Sequence, residues 1–153
     1  MQTKWRRSII LPFLDVKESA SRILGKSIDQ FDEVFGGRNN KVFRILCSSG
    51  EEYALKKYFS NPNDPRNRIS NEFNAFTLLW QNGVHTIPKP IRMDVAENTA
   101  VYEFIDGKKL SGNEVEFEHI GQCAQFLTRL DGLKTKPGAK EFPLASEARF
   151  SVA

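Results

Sequence analysis

Apolar residues recur along this chain with two different spacings, and the changes between them predict its helices and strands. Val16, Ala20 and Ile23 fall at helical spacing, and Gly25 is a suitable residue to end that helix. Three strand-like runs follow, and a turn-forming glycine, Gly50, separates the second run from the third. The runs cover residues 28–35, 42–47 and 53–59.

A second helix is predicted after a loop rich in Pro and Asn at residues 60–68. Ile69, Phe73 and Phe76 define one face of this helix, and Gly83 ends it. Two more strands and a third amphipathic helix complete the pattern. The strands are predicted at residues 91–95 and 100–105, and Gly107 breaks the second of them. The third helix is predicted from about residue 113, and its apolar face contains Ile120, Ala124, Leu127 and Leu130.

The order of these elements is helix, three strands, helix, two strands, helix. Consecutive antiparallel strands with a helix inserted after the third predict an α+β domain. The chain has 153 residues, which suits one domain with one sizeable core. We predict an N-terminal helical segment at residues 1–26, the main domain at 27–110 and a helical continuation at 111–153.

Charge and cysteine content narrow the function classes. A net charge of +3, with acids interleaved among the bases, argues against a nucleic-acid or membrane surface. No apolar run approaches the length of a membrane span. Cys47 and Cys123 lie far apart within element-like patterns, so we expect two buried thiols in a reducing compartment. The apolar segment near the N-terminus is too short for a signal peptide, and we expect a cytoplasmic protein. His85 and His119 lack partners at metal-ligand spacing, and we expect surface or helix-capping roles for them.

A loop rich in Gly and Asn joins the first two predicted strands. Glycines without a Cβ allow backbone N–H groups to surround an anion such as a phosphate, and Asn tolerates left-handed geometry. An ordinary hairpin turn needs the same residue types, so this alternative stays open. The loop residues are Gly36, Gly37, Arg38, Asn39 and Asn40.

Strand alternation places Ala54 and Lys56 on one face of the third strand, with Lys57 on the other. Glu72 lies on the inward flank of the second helix, three residues after Ile69. Two alternatives remain for these charges. The lysines could be surface charges on an edge strand, and the glutamate a solvated residue near the start of its helix.

Four motifs in this order resemble the N-terminal lobe of the aminoglycoside phosphotransferase and choline kinase family, within the protein-kinase-like fold. They are Gly-Gly-Arg-Asn-Asn-x-Val-Phe-Arg-Ile from Gly36, Tyr-Ala-Leu-Lys ending at Lys56, the helix that carries Glu72, and Val-Tyr-Glu-Phe-Ile-Asp-Gly-x-x-Leu from Val101. The resemblance covers roughly residues 28–130. It implies a five-stranded antiparallel sheet with an inserted helix of the kinase αC type, an N-terminal helix and a C-terminal linking helix.

The resemblance also implies site roles. Residues 36–40 would cover ATP phosphates, and Lys56 would reach the α- and β-phosphates while Glu72 holds it in place. Val42 and Ala54 would pack on the adenine. The strand that contains Tyr102 would end in a hinge, where backbone groups of Glu103 and Ile105 bind the adenine edge. A simple strand end at Gly107 is the alternative there.

The family's catalytic motifs, a His-x-Asp type loop and a later Asp that binds Mg²⁺, are not found in this sequence. We therefore expect the nucleotide-binding lobe of an ATP-dependent small-molecule phosphotransferase that is inactive by itself, as a fragment or an isolated lobe. Mg²⁺ and the acceptor alcohol would be bound through the missing lobe. The alternative is a non-catalytic α+β interaction module, or a degenerate kinase-like protein that has lost catalysis, which binds a protein or an anionic partner.

Overall fold

The computed structural model describes residues 15–34, 40–59 and 66–143, and within them the predicted order of elements is observed. Helix α1 covers residues 15–24 and ends at Gly25, whose φ of +65° is a conformation that favours glycine. The strands are β1 (Ile28–Val34), β2 (Lys41–Cys47), β3 (Glu52–Lys57), β4 (Pro90–Asp94) and β5 (Thr99–Glu103). The other helices are α2 (Arg68–Gln81) and α3 (Phe117–Leu133).

The five strands form one antiparallel sheet in the order β1-β2-β3-β5-β4. β1 pairs with β2 and β2 pairs with β3, whereas α2 lies in the chain between β3 and the edge strand β4. After β4 the chain turns back, and β5 pairs with β4 on one side and with β3 on the other. β5 therefore lies inside the sheet. The predicted α+β class with an inserted helix is confirmed.

One face of the sheet is closed by α1. Ala20 and Ile23 of this helix pack on strand residues that are almost completely buried. Phe31 and Phe43 stack with ring centroids 4.7 Å apart. The buried strand residues of this cluster are Phe31, Phe43, Ile45, Cys47, Leu55 and Val101.

The opposite face is covered in part by α2. Ile69 at the start of this helix is 2% exposed, and Phe73 and Phe76 pack beside it on Tyr102 of β5. The Asn67 side chain caps the helix by accepting a hydrogen bond of 3.1 Å from the Ser70 amide. The helix is thus fixed at its first turn, beside the end of β3.

Three predicted boundaries are wrong by a few residues. β3 ends at Lys57 rather than at residue 59, and β5 ends at Glu103 rather than at residue 105. The third helix begins at Phe117 rather than near residue 113. A separate 3-10 turn, Gly112–Glu114, lies there with Ser111 as its N-cap, and the extended Glu116 is the N-cap of α3. Apolar spacing marks the middle of an element, whereas local side-chain caps decide its ends.

Helix α3 explains one further wrong prediction. None of its residues is buried, so Cys123 is exposed, whereas Cys47 is buried as predicted. Both thiols are free.

His119 has the predicted capping role, since its Nδ1 accepts a hydrogen bond of 2.9 Å from the Glu116 amide. His85 is exposed as predicted and stacks on Trp80. Among the described helices, none is long and apolar enough to cross a membrane.

Candidate functional site

The candidate site is built around an ion pair between β3 and α2. The Lys56 ammonium lies 2.7 Å from each carboxylate oxygen of Glu72. The two side chains are 22% and 31% exposed, so the pair is partly screened from water and still accessible from one side. The predicted contact between these two residues is therefore observed, with the lysine held by both carboxylate oxygens.

Strand register determines which residues accompany the ion pair. Val42 of β2 lies opposite Lys56, and Tyr102 of β5 lies opposite Ala54. Directly paired residues in an antiparallel sheet point to the same face, so these four share the face that α2 partly covers. Val42 and Ala54 are only half-buried. An accessible apolar surface thus continues from the Lys56 ammonium along β2 and β3.

Two tyrosines extend the polar contacts into the core beneath α2. The Tyr58 hydroxyl donates a hydrogen bond of 2.8 Å to Oε1 of Glu72, and it lies 2.7 Å from the Tyr102 hydroxyl. Both tyrosines are 4% exposed. The Lys56 ammonium also lies over the Tyr58 ring, 4.8 Å from its centroid. Burial raises the pKa of both hydroxyls above the usual tyrosine value.

Sequence reasoning missed these hydroxyl contacts. Alternation along β3 predicts that Tyr58 shares the face of Lys56. Tyr102, however, was predicted only to lie on the strand that leads into the hinge. A tyrosine at each of two positions facing the Glu72 helix was the available signal. It was weak, because buried tyrosines serve as ring packing at least as often as they serve as polar contacts.

Most of the predicted phosphate loop lies outside the described residues, namely Gly36, Gly37, Arg38 and Asn39. Asn40 is described, and its carboxamide accepts a hydrogen bond of 3.0 Å from the Phe59 amide. This contact ties the end of the loop to the end of β3, directly after Lys56 and Tyr58.

The predicted hinge follows β5. The Glu103 amide donates to the Lys89 carbonyl at 2.8 Å, so this N–H is already used within the sheet. If the backbone of Glu103 binds the adenine edge, its carbonyl oxygen must therefore make the contact. Ile105 lies beyond the strand and its side chain is 51% exposed. The chain between β5 and the 3-10 turn at Gly112–Glu114 has no regular structure, consistent with a connecting segment.

An arginine that sequence reasoning did not single out lies at the hinge side of this face. Arg44 pairs with Ala54 across β2 and β3. Its guanidinium donates to both carboxylate oxygens of Glu52, at 2.8 and 2.9 Å, and stacks over the Phe104 ring 4.5 Å from the centroid. These hydrogen bonds raise the pKa of Arg44 above its usual value. Arg44 therefore connects the sheet to the first residue after β5.

Metal ligation has no support within the described ranges. No group of three or more His, Cys, Asp or Glu side chains there could hold a metal ion. The chemistry that these residues offer is anion binding by a fixed ammonium, next to an apolar surface that suits a flat ring.

Comparisons with known proteins agree with this architecture. Residues 32–152 match the family model APH, described as the phosphotransferase enzyme family. A comparison with curated proteins gave no match. A solved structure from Thermobifida fusca, assigned as a fructosamine-3-kinase, superposes with a TM-score of 0.51 at 13% sequence identity. The alignment covers 63% of this chain and 33% of that chain, so the similarity is one of fold and extends over about a third of the solved protein.

Proposed function

Because the chain belongs to the APH phosphotransferase enzyme family, we propose that it is the ATP-binding lobe of a kinase that phosphorylates a hydroxyl group of a small molecule. The observation that carries this proposal is the ion pair of Lys56 with both carboxylate oxygens of Glu72. In kinase-like sites, a lysine held by a helix glutamate binds the α- and β-phosphates of ATP. An anion-binding role requires that the ammonium be fixed and accessible, and Lys56 is both.

The remaining residues on this face fit a nucleotide. Val42 and Ala54 would contact the adenine from the sheet side, since both are half-buried and lie beside Lys56. The Glu103 carbonyl and the backbone of Ile105 would bind the adenine edge. Residues 36–40 would cover the phosphates, and the Asn40 contact with the Phe59 amide supports this by fixing one end of that loop near Lys56.

Mg²⁺ and the acceptor belong to the intact protein. The sequence contains no catalytic-loop or metal-binding motif of the family, so we propose that these groups come from outside this chain. Mg²⁺ would neutralise phosphate charge when bound. The acceptor class is a small molecule with a free hydroxyl, such as an amino alcohol or an aminoglycoside, and the compartment is the cytoplasm.

Titration with Mg·ATP tests the proposal, with two neighbouring lysines as a matched pair. Lys56→Ala removes the ammonium that faces α2. Lys57→Ala removes an equal charge from the other sheet face, where Lys57 lies 3.8 Å from Glu97. Affinity is expected to be weak because one lobe offers one wall to the adenine. Amide chemical shifts of the ¹⁵N-labelled chain should therefore be followed to Mg·ATP concentrations on the order of millimolar.

We expect Lys56→Ala to weaken binding about tenfold or more, since a hydrogen bond to a charged group contributes roughly 1.5–3 kcal/mol. Lys57→Ala should bind as the wild type does. Equal losses in both variants would indicate general charge attraction instead of a site. Unchanged binding in Lys56→Ala would overturn the assignment of this lysine, and would favour the alternative of an interaction module.

A further inference from the structure

The hydrogen bonds among Tyr102, Tyr58 and Glu72 run in a defined direction. A carboxylate can only accept, so the Tyr58 proton is donated to Oε1 of Glu72 at 2.8 Å. A hydroxyl has one proton, so Tyr58 must accept in its 2.7 Å contact with Tyr102, and Tyr102 must donate. The polarity is therefore Tyr102 to Tyr58 to Glu72.

This chain of hydroxyls ends on the oxygen that also binds Lys56. Oε1 of Glu72 accepts from the Tyr58 hydroxyl and from the Lys56 ammonium, whereas Oε2 accepts from the ammonium at 2.7 Å. Lysine presents a point charge with three rotating donors and does not by itself fix the orientation of a carboxylate. The directional contact from Tyr58 supplies that constraint.

We propose that Tyr58 and Tyr102 are positioning residues, which orient the Glu72 carboxylate and thereby hold the Lys56 side chain in one conformation before nucleotide binds. We call the hydrogen-bonded series Tyr102–Tyr58–Glu72 the relay. Its role in function rests on the proposed nucleotide site. The orientation itself is a property of the free chain. Tyr102 acts through Tyr58, since its hydroxyl is the first donor of the relay.

The surroundings favour a relay over simple ring packing. Both tyrosines are 4% exposed, so an unsatisfied hydroxyl at either position would carry a desolvation penalty. The Tyr102 ring is wedged against Phe73 and Phe76, with centroids 5.9 and 5.4 Å away, which limits its rotation. Burial also raises the pKa of both hydroxyls, so both remain protonated donors at neutral pH.

The three tyrosines of the chain provide the test and its control. Tyr58→Phe and Tyr102→Phe keep the buried rings and delete one hydroxyl each. Tyr53→Phe makes the same change on β3, at a residue that packs on the other sheet face with the α1 cluster. Two NMR signals without exchangeable protons report the outcome in the free chain. They are the Glu72 carboxyl carbon, assigned with Glu72→Gln, and the paired Hε protons of Lys56, assigned with Lys56→Arg.

In the wild type, a fixed Lys56 side chain gives two distinct Hε shifts. We expect Tyr58→Phe to merge these shifts and to move the Glu72 carboxyl signal, and Tyr102→Phe to do so in part. Tyr102→Phe should have a smaller effect in a Tyr58→Phe background than in the wild type, and Tyr53→Phe should leave both signals unchanged. Amide spectra of each variant confirm that it is folded.

Unchanged Lys56 and Glu72 signals in a folded Tyr58→Phe chain would overturn the relay, because ring packing would then suffice. Merged Hε shifts in the wild type itself would overturn it as well. Titration of the same samples with Mg·ATP separates the two proposals. If the relay signals respond as expected but Mg·ATP perturbs neither Lys56 nor Val42, the relay stands and the nucleotide site fails.

Discussion

The proposed nucleotide site depends on four residues, which are Lys56, Glu72, Tyr58 and Tyr102. A half-buried ammonium is held by a carboxylate, and that carboxylate is held by a hydroxyl donor from the core. Each contact depends on the next, because hydrogen bonds in a connected series polarise one another.

The buried hydroxyls predict a loss of stability at alkaline pH. Because burial raises the pKa of Tyr58 and Tyr102, the folded chain retains protons that the unfolded chain releases above about pH 10. Their contribution to stability is complete below that pH and decreases as the pH rises beyond it, by at most about 1.4 kcal/mol per pH unit for each group. Urea unfolding across an alkaline pH series measures this decrease.

Tyr58→Phe should make the alkaline decrease shallower than in the wild type, since phenylalanine has no proton to retain. Comparison at each pH removes the contribution of the lysines, which titrate in the same range in both proteins. A decrease of identical steepness in the two proteins would show that Tyr58 ionises as readily in the folded chain as in the unfolded one.

Helix α2 is the element that converts the sheet into a candidate site, because it carries Glu72 and covers part of one face. Its attachment begins at Ile69, which is 2% exposed and packs with Tyr58, Ala100 and Tyr102. The first turn of α2 is thus the part of the helix that positions Glu72, one turn further on.

Truncation of Ile69 should therefore destabilise the chain. Ile69→Ala leaves a cavity beneath α2, and such changes cost about 2–5 kcal/mol. Ile120→Ala on α3 is the matched control; Ile120 is 56% exposed, so the expected change is within about 0.5 kcal/mol. Chemical denaturation provides both values. Equal effects at the two positions would contradict the described attachment of α2.

The elements themselves could be predicted from apolar spacing, because each buries one face. Ile69, Phe73 and Phe76 specify α2, and the combination of short motifs predicted a family that is now confirmed. The hydroxyl contacts could not be predicted, since they depend on how β5 returns beside β3 and brings Tyr102 to Tyr58. The exposure of Cys123 was missed because amphipathic spacing does not show whether a helix has a packing partner.

In the whole molecule, the two faces of the sheet differ in how completely they are covered. The face under α1 is closed by a continuous apolar cluster. On the other face, α2 leaves Val42 and Ala54 half-buried beside Lys56. This asymmetry supports the proposal that the α2 face binds a nucleotide.

Paramagnetic mapping with Mn·ATP can locate nucleotide on this face, because broadening by Mn²⁺ depends steeply on distance and is detected even when binding is weak. With ATP in excess over Mn²⁺, we predict that the strongest broadening occurs at Lys56 and at residues 36–40, which would lie nearest the phosphates that carry the metal, with weaker broadening at Val42 and Ala54, and that it disappears when Mg·ATP displaces Mn·ATP. Broadening centred elsewhere would contradict nucleotide binding at the α2 face, for example at the cavity between α2 and residues 138–142 that Asn74 and Gln81 line. Broadening that is uniform over the surface would contradict it as well.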